Sequence, residues 1–265
     1  MYPDVEAVFV DTGLEYPEIR EFVESFDNVC KIKPKMSFKQ VIKVKGYPVI
    51  SKKNARFIRD LQNPTDDNEA TRNLRLTGYN REGKYCSSMI LPKKWRYLVE
   101  SDIKISEECC DVMKKEPFHR YQKETGKYPI MGVMAEESNL REKQYLDYGC
   151  NAFKVDEPNS KPIGFWRNQD ILEYLRRFNI PYCSVYGEIV PSDQIAGQTS
   201  LPGTVENLMC TGCQRTGCMF CMFGVHLEKE PNRFQMMKET HPKQYDYCIN
   251  KLGLGKVLDY IGVKY

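Results

Sequence analysis

Short apolar runs alternate with segments of helical spacing along the first two thirds of the chain. The run from Val5 to Val10 is rich in β-branched residues, ends in Asp11-Thr12-Gly13, and is followed by helical spacing over Tyr16–Phe26. The order strand then helix returns three times, with predicted strands at Gln40–Val44, Tyr128–Val133 and Ala152–Val155 and predicted helices at Ser51–Leu61, Ser138–Tyr148 and Asn168–Phe178. This alternation predicts an α/β fold with a doubly wound, mostly parallel, Rossmann-like sheet, whose ligands bind beyond the carboxyl ends of the strands.

The alternation is interrupted by a polar stretch over 63–88 and ends near Ser192. A cysteine-rich segment follows, and helical spacing then predicts short helices at Asn232–Lys238, Pro242–Leu252 and Gly255–Ile261. We therefore predict two regions, an α/β domain over residues 1–190 and a Cys-rich, helical region over residues 191–265.

Composition excludes several classes of protein. Among the 265 residues there is no run of about 18 apolar ones, so no membrane span is predicted. The N-terminus, Met1-Tyr-Pro-Asp4, lacks the basic and apolar regions of a secretion signal. Eleven cysteines in such a chain favour reduced thiols and metal ligation over a disulfide framework. The predicted location is therefore cytoplasmic.

The cysteines form a pattern that indicates a metal centre. Near the C-terminal end two Cys-x-x-Cys pairs, Cys210/Cys213 and Cys218/Cys221, are separated by four residues, and an adjacent pair, Cys109-Cys110, lies well upstream. Two intervening residues let both thiolates of a pair turn onto one zinc ion or one iron–sulfur cluster. Buried free thiols are the alternative, since cysteine is among the most buried residue types.

A basic block lies between residues 31 and 59. It contains ten basic residues and no acidic one. Such a block is either a solvated face or a surface that binds a phosphate-bearing ligand or a nucleic-acid backbone.

Several motifs occur in the order found in one known family. They are Val8-Phe-Val-Asp11-Thr-Gly-Leu-Glu-Tyr-Pro17-Glu18, Lys104-Ile-Ser-Glu-Glu-Cys109-Cys110 with Lys114-Lys115, Gly132-Val-Met-Ala-Glu136-Glu137-Ser138-Asn-Leu-Arg141, Pro162-Ile-Gly-Phe-Trp166-Arg-Asn-Gln-Asp170, Ile180-Pro181-Tyr182 and Arg215-Thr-Gly-Cys218-Met-Phe-Cys221. Together they resemble the iron–sulfur branch of the phosphoadenosine phosphosulfate (PAPS) reductase family, which has the adenine-nucleotide hydrolase-like superfold. The resemblance spans nearly the whole chain.

The resemblance implies a [4Fe–4S] cluster held by Cys109, Cys110, Cys218 and Cys221. A local set of Cys210, Cys213, Cys218 and Cys221 is the alternative, and it would resemble the sulfur-transfer enzymes of DNA phosphorothioation. Zinc is the alternative metal.

Eight residues at predicted strand and helix ends are candidates for binding an adenine nucleotide, either ATP or a PAPS-like sulfonucleotide. They are Asp11, Thr12, Gly13, Lys52, Gly132, Glu137, Ser138 and Arg141. A helix capped by Ser138 offers free N–H groups to an anion, and Arg141 can add a bidentate contact. The alternatives are an ordinary Asx-type turn at Asp11 and a plain capping box with a solvated Arg141.

Two departures from the family pattern bear on catalysis. The phosphate loop of the family, a Ser-Gly-Gly-Lys-Asp-Ser type motif after the first strand, has no counterpart here, so we expect either about thirty further residues upstream or a partner chain, such as a second copy. The reductases also carry a nucleophilic cysteine in a C-terminal tail, whereas the last cysteine here is Cys248. We assign no catalytic residue.

The leading hypothesis is an iron–sulfur oxidoreductase or sulfurtransferase that takes part in adenine-nucleotide-dependent sulfur transfer or sulfonucleotide reduction. One alternative is a nucleic-acid-associated accessory protein, which the basic block motivates, resembling a phosphorothioation or defence-system partner with degenerate catalysis. The other is a zinc-binding module.

Overall fold

The computed structural model describes residues 5–153, 155–192 and 207–265. The helices are α1 (Pro17–Glu24), α2 (Phe38–Val44), α3 (Lys52–Gln62), α4 (Glu69–Thr77), α5 (Glu116–Thr125), α6 (Asn139–Tyr148), α7 (Asn168–Arg177), α8 (Arg233–Thr240), α9 (Pro242–Asp246) and α10 (Leu254–Tyr260). The strands are β1 (Ala7–Val10), β2 (Val29–Ile32), β3 (Val49–Ile50), β4 (Asn151–Ala152), β5 (Asn159–Ser160), β6 (Ile189–Pro191), β7 (Leu208–Cys210) and β8 (Met222–Phe223).

The chain forms two compact units. The first contains residues 1–9, 16–30 and 118–216, and the second contains residues 10–15, 31–117 and 217–265. All four thiols of the Cys109, Cys110, Cys218 and Cys221 set lie in the second unit, whereas Cys210 and Cys213 lie in the first. The predicted boundary between residues 190 and 191 stays a prediction.

The mixed α/β class is confirmed, and the described strands pair in twos. β3 runs parallel to β8, β4 and β5 are antiparallel, β6 and β7 are antiparallel, and β1 pairs with β2. The predicted strand at Tyr128–Val133 is a single parallel bridge from Ile130 to Ser160. The strand predicted from Ala152 is Asn151–Ala152, and residue 154 of the predicted span lies outside the described residues.

The prediction of a strand at Gln40–Val44 is wrong, because this segment is α2. Ser37 caps the helix by accepting a hydrogen bond from the Gln40 backbone N–H, and the Gln40 side chain accepts one from the Ser37 N–H. This reciprocal capping box satisfies two backbone donors at the helix start. Phe38, Val41 and Ile42 are buried on one face of α2, so packing on that face overrides the β-propensity of the Val-Ile-Lys-Val run.

The core of the second unit surrounds β3. Ser51 caps α3 by accepting from the Asn54 N–H, and the apolar face of α3 then points inward, with Ala55, Ile58 and Leu61 buried at helical spacing. The largest side chains that are almost fully buried in this unit are Phe234, Ile50, Ile58, Leu91, Leu98, Ile105, Met113, Met222, Leu254 and Leu258. The helices predicted after residue 231 are confirmed as α8, α9 with the π-helical turn Tyr247–Lys251, and α10.

In the first unit, the antiparallel pairing of β6 with β7 continues, through backbone hydrogen bonds, past the end of both strands. Thr211 N–H donates to Glu188 O (2.9 Å), Gly212 N–H to Tyr186 O (2.9 Å) and Cys213 N–H to Val185 O (3.0 Å). The segment 185–188 therefore lies directly against the segment 211–213. Among the described helices of the whole chain, none is long and apolar enough to cross a membrane.

Candidate metal centre and nucleotide site

The strand segment Tyr47–Ile50 brings the two cysteine segments of the second unit together. On one side, Tyr47 N–H donates to Lys104 O (2.8 Å) and Ser106 N–H donates to Tyr47 O (3.1 Å). On the other side, β3 pairs in parallel with β8, which begins directly after Cys221. One short strand is thus flanked by the segment leading into Cys109 and by the segment leaving Cys221.

Gly46 makes the first of these pairings possible. Its φ is +111°, and a Cβ there would lie 2.6 Å from the carbonyl oxygen of Lys104. A side chain would therefore collide with backbone that cannot rotate away, and only glycine lets the two segments approach so closely.

The Cys218–Cys221 turn is anchored by its two central residues. Cys221 N–H donates to Cys218 O (3.1 Å), which closes the turn, and Met219 N–H donates to Leu14 O (2.8 Å). Met219 and Phe220 are buried, and the Phe220 ring packs 6.2 Å from Phe38. The apolar residues between the cysteines thus fix the turn on the core, and both thiols are left at its edge.

The adjacent pair lies where a helix begins. Cys109 and Cys110 are helical and lead into the π-helical turn Asp111–Lys115. Successive helical side chains point about 100° apart, so the two thiols diverge, and Cys109 is buried whereas Cys110 is half-buried. π-turns of this kind are frequent at functional sites.

The four thiols of this set lie within electrostatic reach of one another. Burial raises the pKa of Cys109 far above its usual value, and the neighbouring Cys110, Cys218 and Cys221 raise it further. Burial also raises the pKa of Cys218, to about 11, and that of Cys221. Without a metal, Cys109, Cys218 and Cys221 are therefore protonated thiols at neutral pH, and a bound cation would have to displace their protons.

Two cations compensate the sulfur atoms. The Lys114 ammonium donates to the Cys218 sulfur, and although burial alone would lower the pKa of Lys114, that sulfur and Glu15 raise it. The Arg233 guanidinium donates to Cys221 O (3.0 Å) and is held by Glu228, whose Oε1 accepts from Arg233 Nε–H at 2.7 Å. Both cations are therefore oriented toward the thiol centre.

The identity of the metal stays a prediction. Within the described residues, no group of three or more His, Cys, Asp or Glu side chains is positioned to hold a single metal ion. The four thiols that influence one another here are candidates for a zinc ion or an iron–sulfur cluster, because both kinds of site bind through thiolates.

Cys210 and Cys213 have different surroundings in the first unit. Cys210 ends β7, and its carbonyl accepts from the Gln214 side chain (2.5 Å). Cys213 lies near the buried Cys183, whose thiol it influences. A local four-cysteine set thus draws its members from both units, whereas the Cys109, Cys110, Cys218 and Cys221 set belongs to one.

The loop after β1 is closed by its own side chains. Asp11 Oδ1 accepts from Gly13 N–H (3.3 Å), which is the Asx-type bond given above as an alternative. The Glu15 carboxylate accepts from Thr12 N–H (3.1 Å) and from the Thr12 hydroxyl (2.6 Å). Thr12 is buried, and Gly13 has a φ of +73°. The loop is therefore a fixed turn in the second unit.

Lys52 stands in the first turn of α3, after two notable residues. Ile50 has a φ of +66°, a conformation that a β-branched side chain rarely adopts, and Ser51 is the helix cap. A non-glycine residue with a positive φ is strained and persists only where the surrounding structure holds it in place, and such residues are common at ligand sites.

The remaining candidates lie in the first unit. Ser138 caps α6 by accepting from Arg141 N–H, as predicted. The Arg141 guanidinium is ion-paired with the Glu137 carboxylate and both side chains are partly exposed, so the alternative of a plain capping box stays open. Gly132 has an ordinary φ, and a Cβ there would meet only Ile163 at 3.9 Å, so this site does not require glycine.

Part of the basic block is neutralised by carboxylates next to the cysteine pair. Arg56 and Arg59 each contact Glu107 Oε1 at 3.1 Å, Lys45 contacts Glu108 Oε1 at 3.1 Å, and Lys35 contacts Glu116 at 3.1 Å. These pairs leave fewer basic groups for a polyanion, and binding of nucleic acid stays a prediction.

Sequence reasoning missed the roles of Glu15, Lys114 and Cys183. Lys114 lies four residues after Cys110, the spacing that places side chains on one helical face, and this spacing could have indicated its role. The position of Cys183 next to Cys213 has no local sequence signal.

Fold and site together define an α/β protein with a buried, thiol-rich centre beside a fixed loop. The model of the phosphoadenosine phosphosulfate reductase domain matches residues 65–223, which is more than half of the chain. The chain therefore belongs to the PAPS reductase family, and this membership supports a function related to sulfonucleotides and a nucleotide-like substrate. No curated protein and no solved structure matches the chain. The matched range contains all the candidate cysteines and Gly132–Arg141, whereas Asp11–Gly13 and Lys52 precede it.

Proposed function

We propose that this protein binds a [4Fe–4S] cluster through Cys109, Cys110, Cys218 and Cys221 and acts on an adenine nucleotide or sulfonucleotide, in sulfur transfer or sulfonucleotide reduction. The observation that carries the proposal is the gathering of four thiols, from two segments distant in sequence, around the buried Cys109. A cluster at such a centre supplies electron transfer at a potential set by its hydrogen bonds and burial.

The charged groups around the thiols suit a centre built from thiolates. Lys114 places an ammonium against Cys218, and Arg233 stands near Cys221. These positive charges offset part of the negative charge that four thiolates bring into a buried site. Met219 and Phe220, the two residues between Cys218 and Cys221, are buried and fix the turn that carries both thiols. The choice of an iron–sulfur cluster over zinc rests on the resemblance to the iron–sulfur branch of the family.

The proposed nucleotide contacts lie at the ends of secondary-structure elements in each unit. In the second unit, Lys52 brings an ammonium to the start of α3, whereas the backbone N–H groups of Asp11, Thr12 and Gly13 are already bonded within the protein. In the first unit, the N-terminus of α6 presents free N–H groups, and Arg141 could exchange its Glu137 partner for a phosphate or sulfate. In the protein without a bound nucleotide, Glu137 would then hold the Arg141 guanidinium in position.

Anaerobic purification tests the metal. We expect a brown protein with broad charge-transfer absorption and about four iron and four sulfide per chain. Cys218→Ser and Cys110→Ser should each lose the iron, and Cys210→Ser is the matched control that should retain it. A colourless protein with stoichiometric zinc would refute the proposal in favour of a zinc-binding module. Iron retained in Cys110→Ser but lost in Cys210→Ser would favour the local set.

Calorimetric titration of the holoprotein with ATP and with PAPS tests the nucleotide site. Arg141→Ala should weaken binding about tenfold or more, as expected for loss of a charge-assisted hydrogen bond. Lys143→Ala is the matched control on the same helix and should leave binding unchanged. Equal affinities for Arg141→Ala and the parent protein would remove Arg141 from the site.

A further inference from the structure

A second group of cysteines lies in the first unit, outside the proposed cluster site. Cys183 is buried, and Cys213 is half-buried in the segment that packs against it. All eleven cysteines of the chain are free thiols in the structure. In the sequence, Cys213 forms a Cys-x-x-Cys motif with Cys210. In the structure, the cysteine near Cys213 is Cys183, thirty residues earlier in the sequence.

The backbone holds Cys183 and Cys213 on either side of one residue, Val185. The Val185 carbonyl accepts from Cys213 N–H at 3.0 Å, and the Val185 N–H donates to the Cys183 sulfur. The next bond along, from Gly212 N–H to Tyr186 O at 2.9 Å, fixes the register. The Cys183 sulfur and the Cys213 backbone are thereby bonded to the same residue, Val185.

The backbones of segments 185–187 and 211–213 lie so close together that positions 187 and 212 require glycine. A Cβ on Gly212 would lie 2.4 Å from the Val185 carbonyl oxygen, and a Cβ on Gly187 would lie 2.3 Å from the Thr211 hydroxyl. The Tyr186 hydroxyl is bonded to the Thr216 hydroxyl at 2.5 Å. The two segments are therefore packed tightly against each other next to the cysteines, and close approach of the two backbones is what a disulfide between them requires.

We propose that Cys183 and Cys213 form a redox-active dithiol, separate from the metal centre, that exchanges with low-molecular-weight disulfides to give an intramolecular disulfide. Cys213, the more accessible thiol, attacks one sulfur of the small disulfide as a thiolate, and one small thiol leaves. Cys183 then loses its proton to solvent and attacks the Cys213 sulfur, and the second small thiol leaves. Two protein thiols are oxidised to one disulfide while one small disulfide is reduced to two thiols.

The surroundings assign the two roles. Burial raises the pKa of Cys183, and the carboxylates of Glu18 and Glu21 raise it further, so Cys183 stays a protonated, unreactive thiol until a mixed disulfide forms beside it. The described residues of this unit offer no third donor in position for a metal ion. Cys210 is directed differently, since its backbone belongs to the ladder with Ile189.

Peptide mapping of the intact holoprotein tests this inference. Anaerobic protein is incubated with glutathione disulfide, alkylated, and digested with trypsin and a Glu-specific protease, which release residues 178–188 with Cys183 and residues 207–215 with Cys210 and Cys213. We expect these two peptides to be joined through Cys213, and dithiothreitol to separate them. Cys210→Ser, the matched control, should still form the link.

Two results would overturn the proposal. One is a link within peptide 207–215, between Cys210 and Cys213, in place of the link to Cys183. The other is alkylation of both Cys183 and Cys213 after incubation with an excess of glutathione disulfide that converts other accessible thiols to mixed disulfides. Because the mapping uses the unmodified chain, it does not depend on the folding of any variant, and its result is independent of the iron content.

Discussion

Gly212 directly precedes Cys213, and Gly217 directly precedes Cys218. The two glycines therefore look equivalent in sequence, yet their surroundings differ. The sequence suggests that both permit tight backbone turns. In the structure Gly212 packs against the backbone of 185–187, whereas a Cβ on Gly217 would meet nothing within 4 Å. Which glycine is required depends on a segment distant in sequence, so local reasoning treats the two alike. The proximity of Cys183 to Cys213 depends on the same contact between distant segments, so the sequence alone does not indicate it.

We predict that Gly212→Ala destabilises the protein by about 1–3 kcal/mol, the usual result of forcing a methyl group into packed atoms. Gly217→Ala should be neutral or slightly stabilising, because the methyl group enters open space and the unfolded chain loses freedom. Urea denaturation followed by circular dichroism gives both values. Equal midpoints for the two variants would contradict the close contact between 212 and 185.

The Glu228–Arg233 pair gives a pH dependence whose sign can be stated. Burial alone would raise the pKa of Glu228, but the hydrogen bonds from Arg233 hold it below the usual value of 4.5. The unfolded state then binds the proton more readily than the folded state does. The pair therefore stabilises the fold above about pH 4.5, and this contribution is lost as the pH falls through the lower, folded pKa.

We predict that Glu228→Gln lowers the free energy of unfolding at pH 7 by about 1–2 kcal/mol, because a hydrogen bond to a charged group contributes about 1.5–3 kcal/mol and partial exposure of both side chains reduces this value. The difference from the parent protein should shrink as the pH is lowered below 4.5. Glu239→Gln, at an exposed position on α8, is the control and should change neither quantity. A difference that grows in acid would reverse the assigned direction of the pKa shift.

At the scale of elements, helices were predicted better than strands. Seven helices lie where helical spacing predicted them. In α3 and α10 one apolar face is buried, as that spacing requires, whereas α6 buries none of its residues. α2 was predicted as a strand, although Ser37 and Gln40 have the spacing of a capping box and could have indicated a helix start. The described strands are two to four residues long, which is too short for an alternation of apolar and polar residues to be recognised in the sequence. β3, on which the metal centre depends, is one of these.

We predict that Gly46→Ala separates the segment 104–106 from the strand beside it and thereby displaces Cys109 and Cys110. Gly83→Ala is the matched control, because Gly83 also has a positive φ (+75°) but a Cβ there meets nothing within 4 Å. Both variants carry the backbone strain, and only the first carries the collision. Iron content after anaerobic purification should fall in Gly46→Ala and stay at the parent value in Gly83→Ala. Parent-like iron in both would show that this pairing does not position the cysteines.

For the whole molecule, the class of fold and the family were accessible from sequence, since they depend on alternation and on motif order. The grouping into units was not. Chain segments 10–15, 31–117 and 217–265 gather into one unit, and contacts between segments so distant in sequence leave no periodic signal. The candidate ligand set could be inferred only through the family resemblance, because nothing in the spacing of Cys109 and Cys218 links them.

We predict that removing iron with a chelator under anaerobic conditions loosens the second unit selectively. A metal centre stabilises the structure that supplies its ligands, and all four proposed ligands lie in that unit. Hydrogen exchange should become faster in peptides from 31–117 and 217–265 and stay unchanged in those from 118–216. Faster exchange around Cys210 and Cys213, with protection retained around Cys109, would instead assign the metal to the local set.

The central position of Tyr47–Ile50 also has a consequence for the order of events during synthesis. This strand and the segment ending in Cys109-Cys110 emerge from the ribosome early, whereas its other neighbour, β8, emerges only after another hundred or so residues have been made. Until then Val49 and Ile50 lack one partner strand, and the nascent chain carries only two of the four proposed ligands. Loading of the proposed cluster would therefore follow synthesis of Cys221, and its rate would report on how fast the segments 31–117 and 217–265 come together.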